Sequence, residues 1–256
     1  MIVLGFDTST PASAIGLRLP DGATMQARDD PGQGERPGHA TRLLPLAAGL
    51  LARAGLSFHD VDRIAVGVGP GTFTGLRIGV ASARGLAHSL DAELVGVRSP
   101  QALAWAAARG EADGHGVLAV IDARRGEAFA AAYYAPLEES VGDREPLLPR
   151  ELAPPRALAP AKFDEILHEV TAIGGSVKGW VAVGNGAMLY RDALSSLGLR
   201  VPANDSPLHR VSGEAICALA ASGVAQAIDT VLPDYRRQPD AELALEHAPA
   251  PSGAGT

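Results

Sequence analysis

The chain has 256 residues, 46% apolar and 20% charged, a globular composition with enough length for one large domain or two smaller ones around a substantial core. Its net charge of −7 argues against strong nucleic-acid binding by this chain alone, because neutralising phosphate takes clustered lysine and arginine; a local basic groove stays open. The single cysteine, Cys217, excludes an internal disulfide and a thiolate metal cluster.

The opening "MIVLGFDTST" has no basic leader and reads as a first strand over 2–6, so a signal peptide is not expected. No stretch approaches the apolar length that spans a bilayer, and the cytoplasm is the expected compartment. A second strand follows over 12–19, then the turn "PDG" and a third strand over 23–28. After a loop over 29–38, Leu43, Leu46, Leu50 and Leu51 recur at helical spacing and predict a helix over 39–55. A strand over 63–68, a helix over 72–90 and a strand over 92–97 complete the first half.

The second half repeats this plan. A helix is expected over 99–109, and the strand 116–122 ends in Asp122 as the first strand ends in Asp7. A partner strand follows over 126–134. The stretch "VAVGNG" (181–186) echoes "IAVGVG" (64–69), and the two matches have nearly equal offsets, 115 and 117 residues. Segment 136–158 carries five prolines and reads as a linker or an edge strand. Further helices are expected over 160–171, 186–197 and 211–228, and the Pro-, Ala- and Gly-rich tail 238–256 is expected to be mobile. An internal duplication of this kind points to α/β architecture of the actin-like (ASKHA, ribonuclease H-like) type, with two lobes of mixed sheet flanked by helices. Residues 1–98 would form the first lobe, completed by the late helix 211–228, and 99–210 the second.

In that architecture two aspartate turns face phosphates across a cleft. Here "DTST" would supply Asp7 as a metal- or water-positioning acid and Thr8, Ser9 and Thr10 as hydroxyl donors; alternatively Asp7 caps a turn. Its counterpart "DARRGE" places Ala123, Arg124 and Arg125 after Asp122, where a phosphate cradle needs glycine. Arg124 and Arg125 are candidate contacts for an anion or tRNA, but they obstruct that cradle. A working ATPase is therefore disfavoured, and Asp7, Thr8, Ser9 and Asp122 read as a vestigial nucleotide site.

The stretch "GPGTFTGLRIG" (69–79) lacks the lysine of a P-loop, having Leu76 and Arg77 after Gly75, and Thr74 stands where a dinucleotide fingerprint needs its last glycine. Instead Gly75, Gly79, Ala83 and Ala87 form a bare stripe along one helix face, flanked by Leu76, Val80 and Leu86. Each interior glycine costs about 1 kcal/mol relative to alanine, which implies a compensating close contact. That contact is either with another helix or with the chain's own core. His39 opens a helix whose i+4 position is Leu43, so the histidine pair of a metal site is missing. His39 reads as a helix-start or surface residue, and Cys217 as a buried small hydrophobe. No catalytic or metal-binding residue is assigned, and no Ser-His-Asp ordering with a nucleophile elbow supports a glycoprotease.

Five stretches together, "DTST" (7–10), "HATRLLP" (39–45), "GVGPGTFTGLRIGVASARGLA" (67–87), "VIDARRGEAFAAAYY" (120–134) and "PDYRR" (233–237), resemble the TsaB (YeaZ) family. That family is the non-catalytic partner in bacterial tRNA threonylcarbamoyladenosine (t6A) modification. The resemblance implies an actin-like fold that has lost its own chemistry, and a heterodimer with the transferase TsaD. It places ATP and metal in partner subunits, TsaE at the TsaB–TsaD junction, and tRNA within reach of the complex. The modified base would be the adenosine beside the anticodon of ANN-decoding tRNAs. On this reading the glycine helix is an interface: Thr74, Gly75, Leu76, Arg77, Gly79, Val80 and Ala83 would contact TsaD, and the isolated chain would form a homodimer through 72–87. The competing reading is an actin-like kinase or ATPase using Asp7 and Asp122.

Overall fold

A computed structural model describes residues 1–236 except 33, 111, 113–115, 136–147 and 174. The first sheet holds β1 (Val3–Asp7), β2 (Ser13–Arg18), β3 (Thr24–Asp29), β4 (Arg63–Gly69) and β5 (Glu93–Arg98), in the order β3-β2-β1-β4-β5. The first three strands form an antiparallel meander, and β4 and β5 add in parallel. The second sheet repeats the plan with β6 (Gly116–Arg124), β7 (Glu127–Tyr134), β8 (Arg150–Leu158) and β9 (Val181–Val183), in the order β8-β7-β6-β9. There too a meander is extended by a parallel strand.

Helices cover both faces of each sheet, so the central strands are apolar on both sides rather than alternating with polar residues. On β1, Leu4 and Phe6 pack with Leu43, Ala47 and Leu50 of α1 (His39–Arg53) and with Val80, Ala83 and Ala87 of α2 (Phe73–Leu90). Val3 points the other way, into a cluster made by α3 (Ser99–Ala108) and α7 (Gly213–Ala221), which Val117, Ala119 and Ile121 of β6 complete from the second sheet. The outer face of the second sheet carries α4 (Phe163–Ala172), α5 (Asn185–Leu189) and α6 (Arg191–Ser196). The molecule is thus layered helix, sheet, helix, sheet, helix: the α/β actin-like arrangement expected from the duplication. The close approach of α7 to β2 explains one glycine pair, since a Cβ on Gly16 would overlap the Gly213 backbone.

Three expected elements differ. The late helix stops at Ala221 rather than 228: Ser222 caps it, and the chain turns to bridge Gln226 to Leu94 at the free edge of β5. The helix expected over 186–197 is broken at Tyr190 into α5 and α6. Over Arg150–Leu158 the proline segment is an edge strand, and Pro154 and Pro155 stand where the β7–β8 register shifts, a place that tolerates the missing N–H. Residues 136–147 and the tail 238–256 lie outside the described residues. Among the described residues no helix is long and apolar enough to cross a membrane.

Candidate partner helix and remnant phosphate turn

The turn after β1 lies in a trough lined by glycine. Asp7 is 1% exposed, and its carboxylate accepts from Ser9 N–H (2.9 Å), Ser9 Oγ (2.7 Å) and Ser99 Oγ (2.5 Å). Thr8 Oγ1 donates to the Gly75 carbonyl at 2.7 Å, and the Ser9 carbonyl accepts from Thr72 N–H at 2.7 Å. Gly67, Gly71, Gly75 and Gly79 line the trough at four-residue intervals. A Cβ on them would overlap, in turn, the Asp7 carboxylate, the Ser9 carbonyl, the Thr8 carbonyl and Thr8 Oγ1. The glycines are therefore explained inside the chain: they receive its own residues 7–9.

Gly75, Leu76, Gly79, Val80 and Ala83 are all buried against the chain's own sheet and turn. Of the seven residues expected at the contact, only Thr74 and Arg77 are exposed. The stripe of small residues marked a close contact correctly, but the contact is with the β1–β2 turn. The outward face of α2 is a different set: Thr74, Ala81, Gly85 and His88 are exposed and Ile78 is half-buried, alternating every three or four residues. Among the described residues, nothing beyond the helix's own neighbouring backbone lies within 4 Å of where a Gly85 Cβ would stand. Its cost to the helix, about 1 kcal/mol against alanine, is not offset within the chain.

The start of α2 is clamped by the "PDYRR" segment, a pairing with no local sequence signal because 158 residues separate the partners. The Arg77 guanidinium sits 3.7 Å over the Phe73 ring, and its Nε donates to Tyr235 Oη at 3.0 Å. The Phe73 and Tyr235 rings lie 5.0 Å apart, and Asp234 N–H donates to the Val68 carbonyl at 2.7 Å. Ser99, at the first position of α3, is a further partner of Asp7 that only the packing of α3 between the sheets brings into reach.

At the second aspartate turn, Asp122 N–H donates to Asn185 Oδ1 at 3.1 Å, and Asp122 Oδ1 accepts from Arg124 N–H at 2.8 Å. Arg124 and Arg125 adopt left-handed φ of 66° and 55°, followed by Gly126 at 78°. The Arg124 guanidinium returns to within 3.4 Å of the Asp122 carboxylate, so an incoming anion would compete with an internal ion pair.

His39 opens α1, as one of the two expectations had it, and is buried rather than on the surface. It is 3% exposed, with Nδ1 2.8 Å from Ser13 Oγ. Burial holds its pKa below the ordinary imidazole value, and the carboxylates of Asp7 and Asp29 push the other way. Cys217 is fully buried as expected, its Sγ facing the Val3 carbonyl at 3.5 Å, and burial pushes its thiol up to about 12. Among the described residues no group of three or more His, Cys, Asp or Glu could hold a metal ion. Around the first turn, the Asp7 carboxylate accepts three hydrogen bonds from Ser9 and Ser99, and Asp7, Thr8 and Ser9 fill the space beside the four glycines.

A family model described as "TsaD: tRNA N6-adenosine threonylcarbamoyltransferase" matches residues 35–246. The tRNA threonylcarbamoyladenosine biosynthesis protein TsaB of Escherichia coli (strain K12) is 32% identical over 242 residues, covering 93% of this chain and 95% of that protein. The chain belongs to the TsaB (YeaZ) family. The solved structure "YeaZ from Pseudomonas aeruginosa" superposes with a TM-score of 0.70 at 27% identity, covering 91% of this chain and 100% of that one. The TsaB of Bacillus subtilis (strain 168) is 32% identical over 58% of this chain and 63% of its own. The transferase of Moorella thermoacetica matches at 46% identity over 59 residues, covering only 17% of that protein. Similarity to TsaB therefore runs through nearly the whole chain, and similarity to that transferase is confined to a short block.

Proposed function

We propose that this chain takes part in tRNA threonylcarbamoyladenosine biosynthesis as a non-catalytic scaffold and activator of the transferase TsaD. The observation that carries the reading is the filled trough. Where an actin-like ATPase opens its first turn to phosphate, Asp7 is held by Ser9 and Ser99, and Thr8 occupies the glycine space. The kinase or ATPase alternative requires Asp7 and Asp122 to face a nucleotide together, and the hydrogen bonds that hold Asp7 count against it.

TsaD would dock on the outward face of α2, around Thr74, Arg77, Ala81 and Gly85, and in the pure chain the same face would pair with its own copy across a two-fold axis. TsaE would join at that junction, and tRNA would bind through the assembled complex, since the chain itself carries a charge of −7. ATP turnover by the pure chain tests the reading. We expect none, and turnover that disappears in Asp7→Ala would establish the ATPase alternative instead. Filter binding of tRNA to the chain alone and with TsaD is the companion test: tight, salt-sensitive binding by the isolated chain would contradict it.

A further inference from the structure

The second sheet carries a cavity that the reading above does not use and that does not depend on it. It has a volume of about 650 Å³ and lies where β6 begins and β7 ends, with Gly116, Tyr134, Arg150, Ile173, Ser176, Lys178 and Trp180 among its walls. Asp122 is at the other end of β6, about 20 Å away at about 3.3 Å per residue, so this is not the actin-like cleft.

The lining has a definite chemistry. Two cations, Arg150 and Lys178, face the cavity, and its described lining includes no carboxylate, in a chain whose net charge is −7. The loop between α4 and β9, "GSVKG" over 175–179, turns on Gly179 at φ +80°. Trp180 anchors it by donating from Nε1 to the Ser176 carbonyl at 2.5 Å, with its ring covering Gly116. Ser176 Oγ accepts from Lys178 N–H at 3.3 Å, and a serine hydroxyl that accepts can still donate its own proton to an anion. Where β7 pairs with β8, Arg150 stands 5.9 Å from the centroid of the half-exposed Tyr134 ring. The described lining thus offers an aromatic ring, the exposed Ile173, two cations and the Ser176 hydroxyl. A volume of this size is that of a small-molecule site.

We propose that this cavity binds a mononucleotide unit, with the phosphate dianion held between Arg150 and Lys178 and the flat base laid against Tyr134 and Ile173. The unit could be a free nucleotide or a single nucleotide of an RNA strand, which share this chemistry.

The test is titration calorimetry of the full chain with AMP, adenosine and inorganic phosphate, repeated on Lys178→Glu and on Arg150→Glu/Lys178→Glu. Both positions are exposed, and a melting curve confirms that each variant is folded. We expect one-to-one binding of AMP, about tenfold or more tighter than adenosine or phosphate alone, and weakened about tenfold or more by Lys178→Glu. A single-stranded oligoadenylate separates the two sources: binding tighter than AMP identifies RNA, and binding no tighter identifies the free nucleotide. AMP that binds no better than phosphate, or that binds both variants as well as wild type, overturns the proposal.

Discussion

Thr8 and Gly79 meet with no room between them: a Cβ on Gly79 would overlap Thr8 Oγ1, whose proton is given to the Gly75 carbonyl at 2.7 Å. The helix glycine and the turn threonine are thus one packing unit, and changes at either should be felt at the other. We expect Gly79→Ala to destabilise the fold by about 1–3 kcal/mol through overpacking, and Gly79→Trp to prevent folding. Thr8→Ala alone should cost about 1 kcal/mol for the lost hydrogen bond. The double variant Gly79→Ala/Thr8→Ala should be more stable than the sum of the two predicts, as coupled neighbours are. Urea denaturation of the four proteins measures this, and simple additivity would show that the two residues do not share the contact.

The outward face of α2 should behave in the opposite way. Among the described residues, nothing beyond its own helix backbone lies within 4 Å of where a Gly85 side chain would begin, so Gly85→Trp should change monomer stability by no more than about 0.5 kcal/mol. The same substitution should weaken both the homodimer and the complex with TsaD about tenfold or more. Sedimentation velocity with and without TsaD reads both. Unchanged association of the variant would move the interface off this helix.

Much of the molecule was legible in sequence, for physical reasons that also mark the limits. Strand β1 and its repeat β6 stand out as short apolar runs ending in aspartate, and the duplication follows from their spacing. The inner stripe of α2 was visible as well, but helical periodicity reports that a face is bare, not what covers it. The covering group is a turn some 70 residues earlier, brought there by the parallel pairing of β1 with β4. His39 was legible as the start of a helix but its burial was not, because the group it meets inside is Ser13 on β2, 26 residues away in sequence. The clamp of Tyr235 on Arg77 had no sequence signal at all.

Stability should fall on the acid side through His39. Its folded pKa lies below the ordinary value, so the unfolded chain takes up the proton first as pH drops below about 6.5. The stabilising contribution is complete above that pH and is lost progressively down to the folded pKa. Denaturation midpoints measured from about pH 8 down to about pH 5, the range over which an imidazole titrates, should therefore fall with pH in wild type. The slope should be shallower in His39→Gln. Equal slopes would assign the acid sensitivity to other groups.

Releasing the C-terminal clamp should loosen a specific segment. Arg77→Ala removes the donor to Tyr235 and the cation over Phe73, while leaving the buried face of α2 intact. We expect faster amide exchange confined to residues 231–236 and the first turn of α2, with the global melting temperature nearly unchanged. Exchange that rises throughout the first sheet would mean that the clamp supports the core.

The most direct measurement is t6A formation on tRNA by a reconstituted system containing TsaD, TsaE and either wild type, Asp7→Asn or Gly85→Trp, each first shown to be folded. If the chain is a scaffold that works through the outward face of α2, Asp7→Asn should support modification at close to the wild-type rate and Gly85→Trp should not. A folded Asp7→Asn that abolishes modification, with Gly85→Trp fully active, would contradict that role and return the chemistry to this chain's own aspartate turn.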